Sequence, residues 1–257
     1  MKKGFLCSAL FLLLFVSSAI PQTPAYKFGY RTIANDTFFM TEGNIFLVQP
    51  ASIVCSGNMM YFAAQDFTAK KDMIVNKTKN VTVITDTQNR KVVKMTFLLS
   101  DEKDNIYNDY ELVLFLEIRE GFPFLAIFSK FVYNGAGTNE CGINWALDSA
   151  QEPFKYYTIP HKGKIETFPL VKTKRTKIGQ ADWIFANKGD GVGGGLIAPG
   201  VILGRGEDFI FINSVPPKKK LSKGQSIDLF MIFMPINKNF KTLPELYEKI
   251  KDIKWNY

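Results

Sequence analysis

Short runs of apolar and aromatic residues, separated by turn residues, recur along most of the chain and predict strands. Asn-Gly, Gly-Asp-Gly, Pro-Pro and Lys-Gly sequences lie between the runs and are typical of turns. The long helical repeats that join the strands of a parallel sheet are absent from the pattern. We therefore predict an all-β fold, a large antiparallel β-sandwich, with strands at residues 45–48, 59–63, 81–85, 92–99, 110–118, 124–133, 143–147, 154–159, 183–186, 195–198, 209–213 and 227–234.

Two of the predicted strands indicate how the sheet is buried. Residues 112–116 are apolar at every position, which predicts a central strand covered on both faces. The next strand, 124–133, is apolar at first on both faces, and one face then becomes polar, as happens where a strand leaves the core. Gly121 and Pro123 lie between the two strands and predict a tight reversal.

One segment, near the end of the sequence, has the pattern of a helix. Thr242 is a favourable N-cap, and Glu245 three residues later completes a capping box. Pro244 falls in the first turn, where its missing N–H costs little. We expect this amphipathic helix to pack on the sandwich as a lid through an apolar face formed by Leu246, Ile250 and Ile253.

The N-terminal residues have the pattern of an export signal. Lys2 and Lys3 precede an apolar run at 6–16, and small residues at 17–19 offer a cleavage site, with a second option at 23–25. The run is shorter than the ~20 residues that a membrane-spanning helix needs. We predict a signal peptide at 1–19, with cleavage as late as residue 25, and an uncleaved N-terminal anchor is the alternative.

The rest of the chain, 26–257, is expected to be a single β-sandwich domain, because no linker, repeat or low-complexity tract divides it. No other stretch is apolar enough to span a membrane. The predicted location is therefore periplasmic or secreted.

The charge distribution suggests a class of partner. The formal net charge is +8, and basic residues concentrate at 162–177 and 218–223. For an exported protein, acidic polysaccharide, anionic lipid or cell-wall polymer are the expected partners, rather than nucleic acid. The alternative is a solvated basic surface that keeps the protein soluble. The oligomeric state is left open.

The sequence predicts neither a cofactor nor a metal site. Gly189, Gly191 and Gly194 match the dinucleotide fingerprint, but a strand follows them instead of the helix that must hold the pyrophosphate. After signal cleavage, two cysteines and one histidine are too few for an ordinary zinc site. Cys55 and Cys141 form a disulfide bond or remain two buried thiols.

The only histidine of the chain lies in a segment that suits a sugar ligand. Aromatic side chains stack on sugar rings, and lysines suit carboxylate or sulfate groups. The candidate ligand-binding residues are Tyr156, Tyr157, His161, Lys162, Lys164, Glu166, Lys174 and Trp183. Tyr156, His161 and Lys164 are the catalytic candidates if the protein is an enzyme, because a lyase needs a base and a cation that neutralises a uronate. The alternative is an exposed loop whose histidine has no role.

Several segments resemble the galactose-mutarotase-like β-supersandwich proteins. They are Gly-Phe-Pro-Phe-Leu at 121–125, Val-Tyr-Asn-Gly at 132–135, Ile-Asn-Trp at 143–145, the region 182–197, and Leu-Ser-Lys-Gly-Gln at 221–225. The resemblance covers residues 79–235 and implies a supersandwich fold with a loose association with carbohydrate. Mutarotases use two histidines and a glutamate, and this chain has a single histidine. The resemblance therefore does not imply mutarotase activity.

These observations predict an exported carbohydrate-binding or carbohydrate-associated protein that is not an enzyme. A polysaccharide lyase or glycosidase-like enzyme acting on an acidic glycan is the first alternative. The second is a structural or protein-interaction module of the cell envelope without a small ligand.

Overall fold

The computed structural model describes residues 28–33, 36–41, 43–50, 52–170, 176–199, 201–205, 209–237, 241–255 and 257. The predicted signal peptide and Lys174 lie outside the described residues. Within these ranges, no helix combines the length and the apolar character that a membrane crossing requires.

The described part of the chain contains nineteen strands, joined in a single hydrogen-bonded network, and one helix that packs on them. All strand pairings in it are antiparallel, so the predicted all-β antiparallel architecture is confirmed. The elements are β1 (Gly29–Ile33), β2 (Asp36–Thr41), β3 (Asn44–Val48), β4 (Ile53–Cys55), β5 (Asn58–Asp66), β6 (Lys71–Asp86), β7 (Arg90–Ser100), β8 (Ile106–Arg119), β9 (Leu125–Tyr133), β10 (Thr138–Ser149), β11 (Tyr156–His161), β12 (Lys164–Pro169), β13 (Thr176–Gly179), β14 (Trp183–Asn187), β15 (Val192–Ile197), β16 (Ile202–Arg205), β17 (Ile210–Asn213), β18 (Lys219–Ser222), β19 (Gln225–Asn237) and α1 (Thr242–Ile250).

Strand β5 connects the two layers of the sandwich. One of its edges pairs with β10 along its whole length, and the other edge pairs first with β4 and then with β6. From β6, a wide layer continues through β7, β8, β9, β19, β15, β14, β11 and β12. The second layer contains β1 to β5 and β10, followed by β17 and β18, and then β16 and β13.

The main core lies between these layers and is rich in aromatic side chains. Phe62 of β5 contacts Trp145 of β10 edge to face, with ring centroids 5.5 Å apart. Across the core, the ring of Phe46 on β3 lies 5.7 Å from that of Phe233 on β19. Each of these side chains is at most 4% exposed, so their burial supplies much of the hydrophobic stabilisation.

The wide layer is apolar on its outer face as well. Leu112, Leu114 and Leu116 of β8 face the main core, and Val113 between them is buried on the opposite face. The sequence-based prediction of a central strand covered on both sides is therefore confirmed. A second hydrophobic cluster on this outer face contains side chains of β9, β14, β15 and β19.

Helix α1 covers part of that outer face, as predicted for a lid. Leu243, Leu246 and Ile250 are buried in the second cluster. The predicted N-cap was wrong by one position, because Thr242 is already helical and Lys241 precedes it without a side-chain capping bond. The helix is instead held by its apolar face against β14 and β15, since packing outweighs capping in a short helix.

Short strands were the main omission of the sequence-based prediction. Strands β1, β2, β4, β12, β13, β16 and β18 were not predicted, and β6 is much longer than the expected 81–85. The pairing of β6 with β7 shifts register at three places, which interrupts the alternation that identifies a strand. The glycine-rich segment after β14 leads into strand β15 and not into a helix. The prediction that these glycines are not a dinucleotide fingerprint rests on this strand.

Cys55 and Cys141 are free, buried thiols in the structure. Of the two alternatives predicted from the sequence, the disulfide is therefore wrong. Cys55 pairs with Asn58 at one end of β5, and Cys141 pairs with Asp66 at the other end. This register separates them by about 26 Å at ~3.3 Å per residue. A disulfide needs Cα atoms within roughly 7 Å. Burial raises the pKa of each thiol to about 12.

We expect Cys55 and Cys141 to resist iodoacetamide at pH 8.5 in the folded protein, because both thiols are buried and protonated. After denaturation without reductant, both should be alkylated, and peptide mass spectrometry would identify them. Denatured protein that reacted only after reduction would contradict the separation of the two thiols.

Candidate functional site

The predicted ligand-binding residues lie largely on the β11–β12 hairpin. His161 and Lys164 are directly opposite each other beside the turn, where Lys162 and Gly163 both have positive φ values. Glycine and the left-handed conformation are what such a two-residue hairpin turn requires. Glu166 lies two pairs further along, opposite Ile159, and therefore on the same face. The structure therefore brings the imidazole, the ammonium and the carboxylate onto one face of the hairpin.

The two tyrosines do not join this group. Tyr157 is 8% exposed and stacks on Phe168, with ring centroids 5.3 Å apart. Burial raises its pKa. Tyr156 points to the opposite face and pairs with Pro169, at the far end of the hairpin from His161. Because alternate residues face opposite sides, Tyr156 cannot act on a ligand held by His161 and Lys164.

Trp183 also lies away from the hairpin surface. It is 4% exposed and belongs to the second hydrophobic cluster, beneath α1. The structure therefore places it in a core, and the chain's own helix covers the face that would have been its platform. Together with Tyr157, it is a packing residue.

A cationic cleft, which the sequence did not predict, lies at the open end of the β7–β8 hairpin, where β7 begins and β8 ends. Its volume is about 200 Å³, and it is lined by Asn89, Arg90, Arg119 and Lys254. Arg90 and Arg119 are directly opposite each other in the β7–β8 register, so their side chains share one face. Lys254 comes from the segment after α1.

A buried carboxylate orients the two arginines. The Glu117 side chain is 0% exposed, and its oxygens accept hydrogen bonds from Nε and Nη2 of Arg90 at 3.0 and 2.8 Å. Nε of Arg119 donates to the same carboxylate at 2.5 Å. The hydrogen bonds to Glu117 raise the pKa of Arg90, so its guanidinium stays charged. One buried negative charge thus holds two positive charges in place.

The ring of Trp255 makes a second contact that holds Arg119 in place. The guanidinium of Arg119 lies 4.4 Å from the ring centroid of Trp255, which is a cation–π contact. Trp255 in turn packs on Phe230 of β19, with centroids 5.1 Å apart. The position of Arg119 is therefore fixed by Glu117 and by Trp255.

This arrangement suits the binding of an anion. The lining residues carry three positive charges, and the neighbouring Glu117 carries one negative charge. Guanidinium groups match carboxylate and sulfate oxygens in geometry as well as charge. No lining residue is a usual nucleophile or general base at neutral pH, and Glu117 is sealed beneath the arginines.

The cleft escaped the sequence analysis because its residues are far apart in the chain. Arg90, Arg119 and Lys254 each stand outside the two dense basic segments. The available signal was Glu117-Ile118-Arg119, which directly follows the apolar run at 112–116 of the same strand. A charged pair at such a place indicates an outer face with a specific role.

Comparisons with known proteins identify the fold. No protein-family model matches the chain, and no curated protein sequence matches it. The GH36 alpha-galactosidase AgaA from Geobacillus stearothermophilus is similar in structure, with a TM-score of 0.50 and 9% identity. The match covers 85% of this chain and 42% of that enzyme, so the chain spans less than half of its length.

Two further structures were matched with lower scores. An alpha-galactosidase from Lactobacillus brevis has a TM-score of 0.48 and 9% identity over 81% of this chain and 39% of its own. A galactose mutarotase related enzyme from Lactobacillus acidophilus has a TM-score of 0.40 and 10% identity over 83% of this chain and 98% of its own. The matched structures thus include a galactose mutarotase related enzyme. At such identities, the likeness concerns the fold alone.

We expect Glu117→Gln to lower the free energy of unfolding by about 3 kcal/mol, because it leaves two arginines without their buried counter-charge. Urea denaturation would measure the change. Glu111→Gln is the matched control, since Glu111 pairs with the largely exposed Lys79 and its loss should cost less than ~1 kcal/mol. Equal losses for the two variants would contradict the role given to Glu117.

Proposed function

We propose that this is an exported, non-catalytic carbohydrate-binding protein that holds an acidic group of a glycan in the cationic cleft. The convergence of Arg90, Arg119 and Lys254 on one cleft is the observation that carries the proposal. The volume of about 200 Å³ suits one charged sugar unit or its acidic substituent. The export signal predicted at 1–19 is what suggests extracellular glycans as ligands.

The expected ligands carry carboxylate or sulfate groups. A bidentate contact between an arginine and a carboxylate fixes both the distance and the orientation of the ligand. Asn89 adds an amide that can donate to a hydroxyl or accept from it. A charged group with neighbouring hydroxyls is the chemistry of uronic acids and sulfated sugars.

The lyase alternative finds little support in the geometry. It requires Tyr156 or His161 as the base, with Lys164 neutralising the same uronate. Tyr156 faces away from the other two side chains, so only His161 remains within reach of Lys164. The imidazole of His161 instead lies edge-on to Phe168, with centroids 6.0 Å apart.

We expect the mature protein to bind acidic glycans on an array at low ionic strength and to lose most of this binding at high salt, because exposed charge interactions are screened. Lys254→Gln should weaken the binding by about tenfold, as expected for the loss of one charge-assisted hydrogen bond. Isothermal titration with an array-selected glycan would measure the change.

Two variants serve as controls for this experiment. Lys249→Gln makes the same charge change at an exposed position of α1 that does not line the cleft, and it should bind like the wild type. Lys164→Gln tests the hairpin. Loss of binding in Lys164→Gln with full binding in Lys254→Gln would move the site to the hairpin. Folded wild type that bound no acidic glycan would remove the proposed function in favour of a protein-interaction module.

A further inference from the structure

The segment that follows α1 is part of both the cleft and the cover of the wide layer. We call residues 251–255 and 257 the tail. Lys254 lines the cleft, and Trp255 makes the cation–π contact with Arg119. Of the remaining lining residues, Asn89 comes from the turn between β6 and β7, and Arg90 and Arg119 come from the start of β7 and the end of β8. The cleft is therefore complete only while the tail lies on the sheet.

Aromatic side chains hold the tail in place. The ring of Tyr257 is stacked on Phe128 of β9, with centroids 5.1 Å apart and planes within 7°. Phe115 of β8 lies 5.6 Å away on the same face. Trp255 contacts Phe124 edge to face at 6.2 Å and packs on Phe230 with a tilted ring at 5.1 Å. Burial raises the pKa of the Tyr257 hydroxyl, so this ring docks in its neutral form.

Backbone hydrogen bonds contribute little to this docking. Ile253 N donates to Ile250 O at 3.0 Å and extends the end of the helix. Among the described residues after Ile253, the backbone makes no hydrogen bond to a strand. Segments held by side-chain contacts without a backbone ladder belong to the least stable parts of a fold. The tail is therefore expected to open before the sheet does.

We propose that ligand binding in the cleft and docking of the tail are coupled, so that an acidic glycan fastens the tail onto the sheet and an undocked tail abolishes the site. This inference rests on the proposed function. A ligand that contacts both Arg119 and Lys254 binds only the docked form, so it lowers the population of the open form. Because only the docked form binds, a change that lowers the docked fraction of the tail weakens the apparent affinity for the ligand in proportion to that fraction.

Hydrogen exchange of the tail amides in the full-length protein tests the first half of the proposal. Glucuronate is the carboxylate probe and glucose 6-sulfate the sulfate probe, with glucose at matched ionic strength as the uncharged control. At a probe concentration of ten times its Kd, exchange in the tail should slow by up to about elevenfold, since only the docked form binds. Glucose should leave the rate unchanged. The two acidic probes show which anionic group the cleft accepts.

Two substitutions of Tyr257 test the second half. Tyr257 does not line the cleft, so Tyr257→Ala loosens the tail without removing a ligand contact. We expect faster tail exchange and a loss of glucuronate affinity equal to the loss in docking. Tyr257→Phe keeps the stacked ring and should leave tail exchange as in the wild type; because the hydroxyl lies next to Glu117, any loss of affinity in this variant measures the part that does not come from docking. Circular dichroism and the urea midpoint verify that both variants remain folded.

The outcomes separate this inference from the proposed function. If an acidic probe binds but tail exchange does not change, and Tyr257→Ala binds like the wild type, the coupling is wrong and the binding function stands. If neither acidic probe nor any acidic glycan binds the folded wild type, both proposals fail. Binding that slows tail exchange and is weakened by Tyr257→Ala supports both.

Discussion

A sheet that is apolar on both faces must be covered twice, and much of this structure follows from that constraint. The second layer of strands covers one face of β8, β9 and β19 and forms the main core. The other face is covered by α1 and the tail, which bury Phe124, Trp183 and Ile232 in the second cluster. Exposing such a patch to water would cost ~25 cal/mol per Å² of apolar surface. The chain therefore uses its own C-terminal residues for this purpose.

The same constraint accounts for the position of the cleft. Where the tail reaches the edge of the apolar face, the sheet changes from Phe115 to Glu117 and Arg119 along a single strand. A carboxylate buried at this boundary needs counter-charges, and two arginines supply them with three hydrogen bonds. Both arginines also line the cleft. The anion recognition proposed for the cleft thus relies on the same side chains that neutralise Glu117.

The fold was more predictable from sequence than the site. Apolar runs such as 110–118 identify strands because packing on a sheet requires them, and Leu246 with Ile250 identifies the helix in the same way. Strands of three or four residues, such as β4, carry too few positions to show alternation. The pairing of β5 with both β4 and β6 depends on distant residues, and no local pattern encodes it.

The candidate site was harder to predict, because residue types alone do not show which side chains are exposed to a ligand. The sequence around Trp183 and Tyr157 is compatible with a ligand-stacking role and with a core role. Only the packing of the two side chains distinguishes these roles. His161, Lys164 and Glu166 were predicted together because they are close in sequence, and the hairpin does bring them together. Arg90, Arg119 and Lys254 meet only through the β7–β8 register and the path of the tail, neither of which is visible in local sequence.

The three register shifts in β6 have a consequence for the behaviour of the protein at high concentration. Beyond Ile74, the outer edge of β6 has no partner strand among the described residues, and it includes the strongly β-forming sequence Val-Thr-Val-Ile-Thr at 81–85. A regular strand of this kind would be a template for another chain. The bulges make the edge irregular, and Lys77 and Lys79 place positive charges along it. The distortion that hid this strand from the sequence analysis is thus also a feature that disfavours edge-to-edge pairing with another chain.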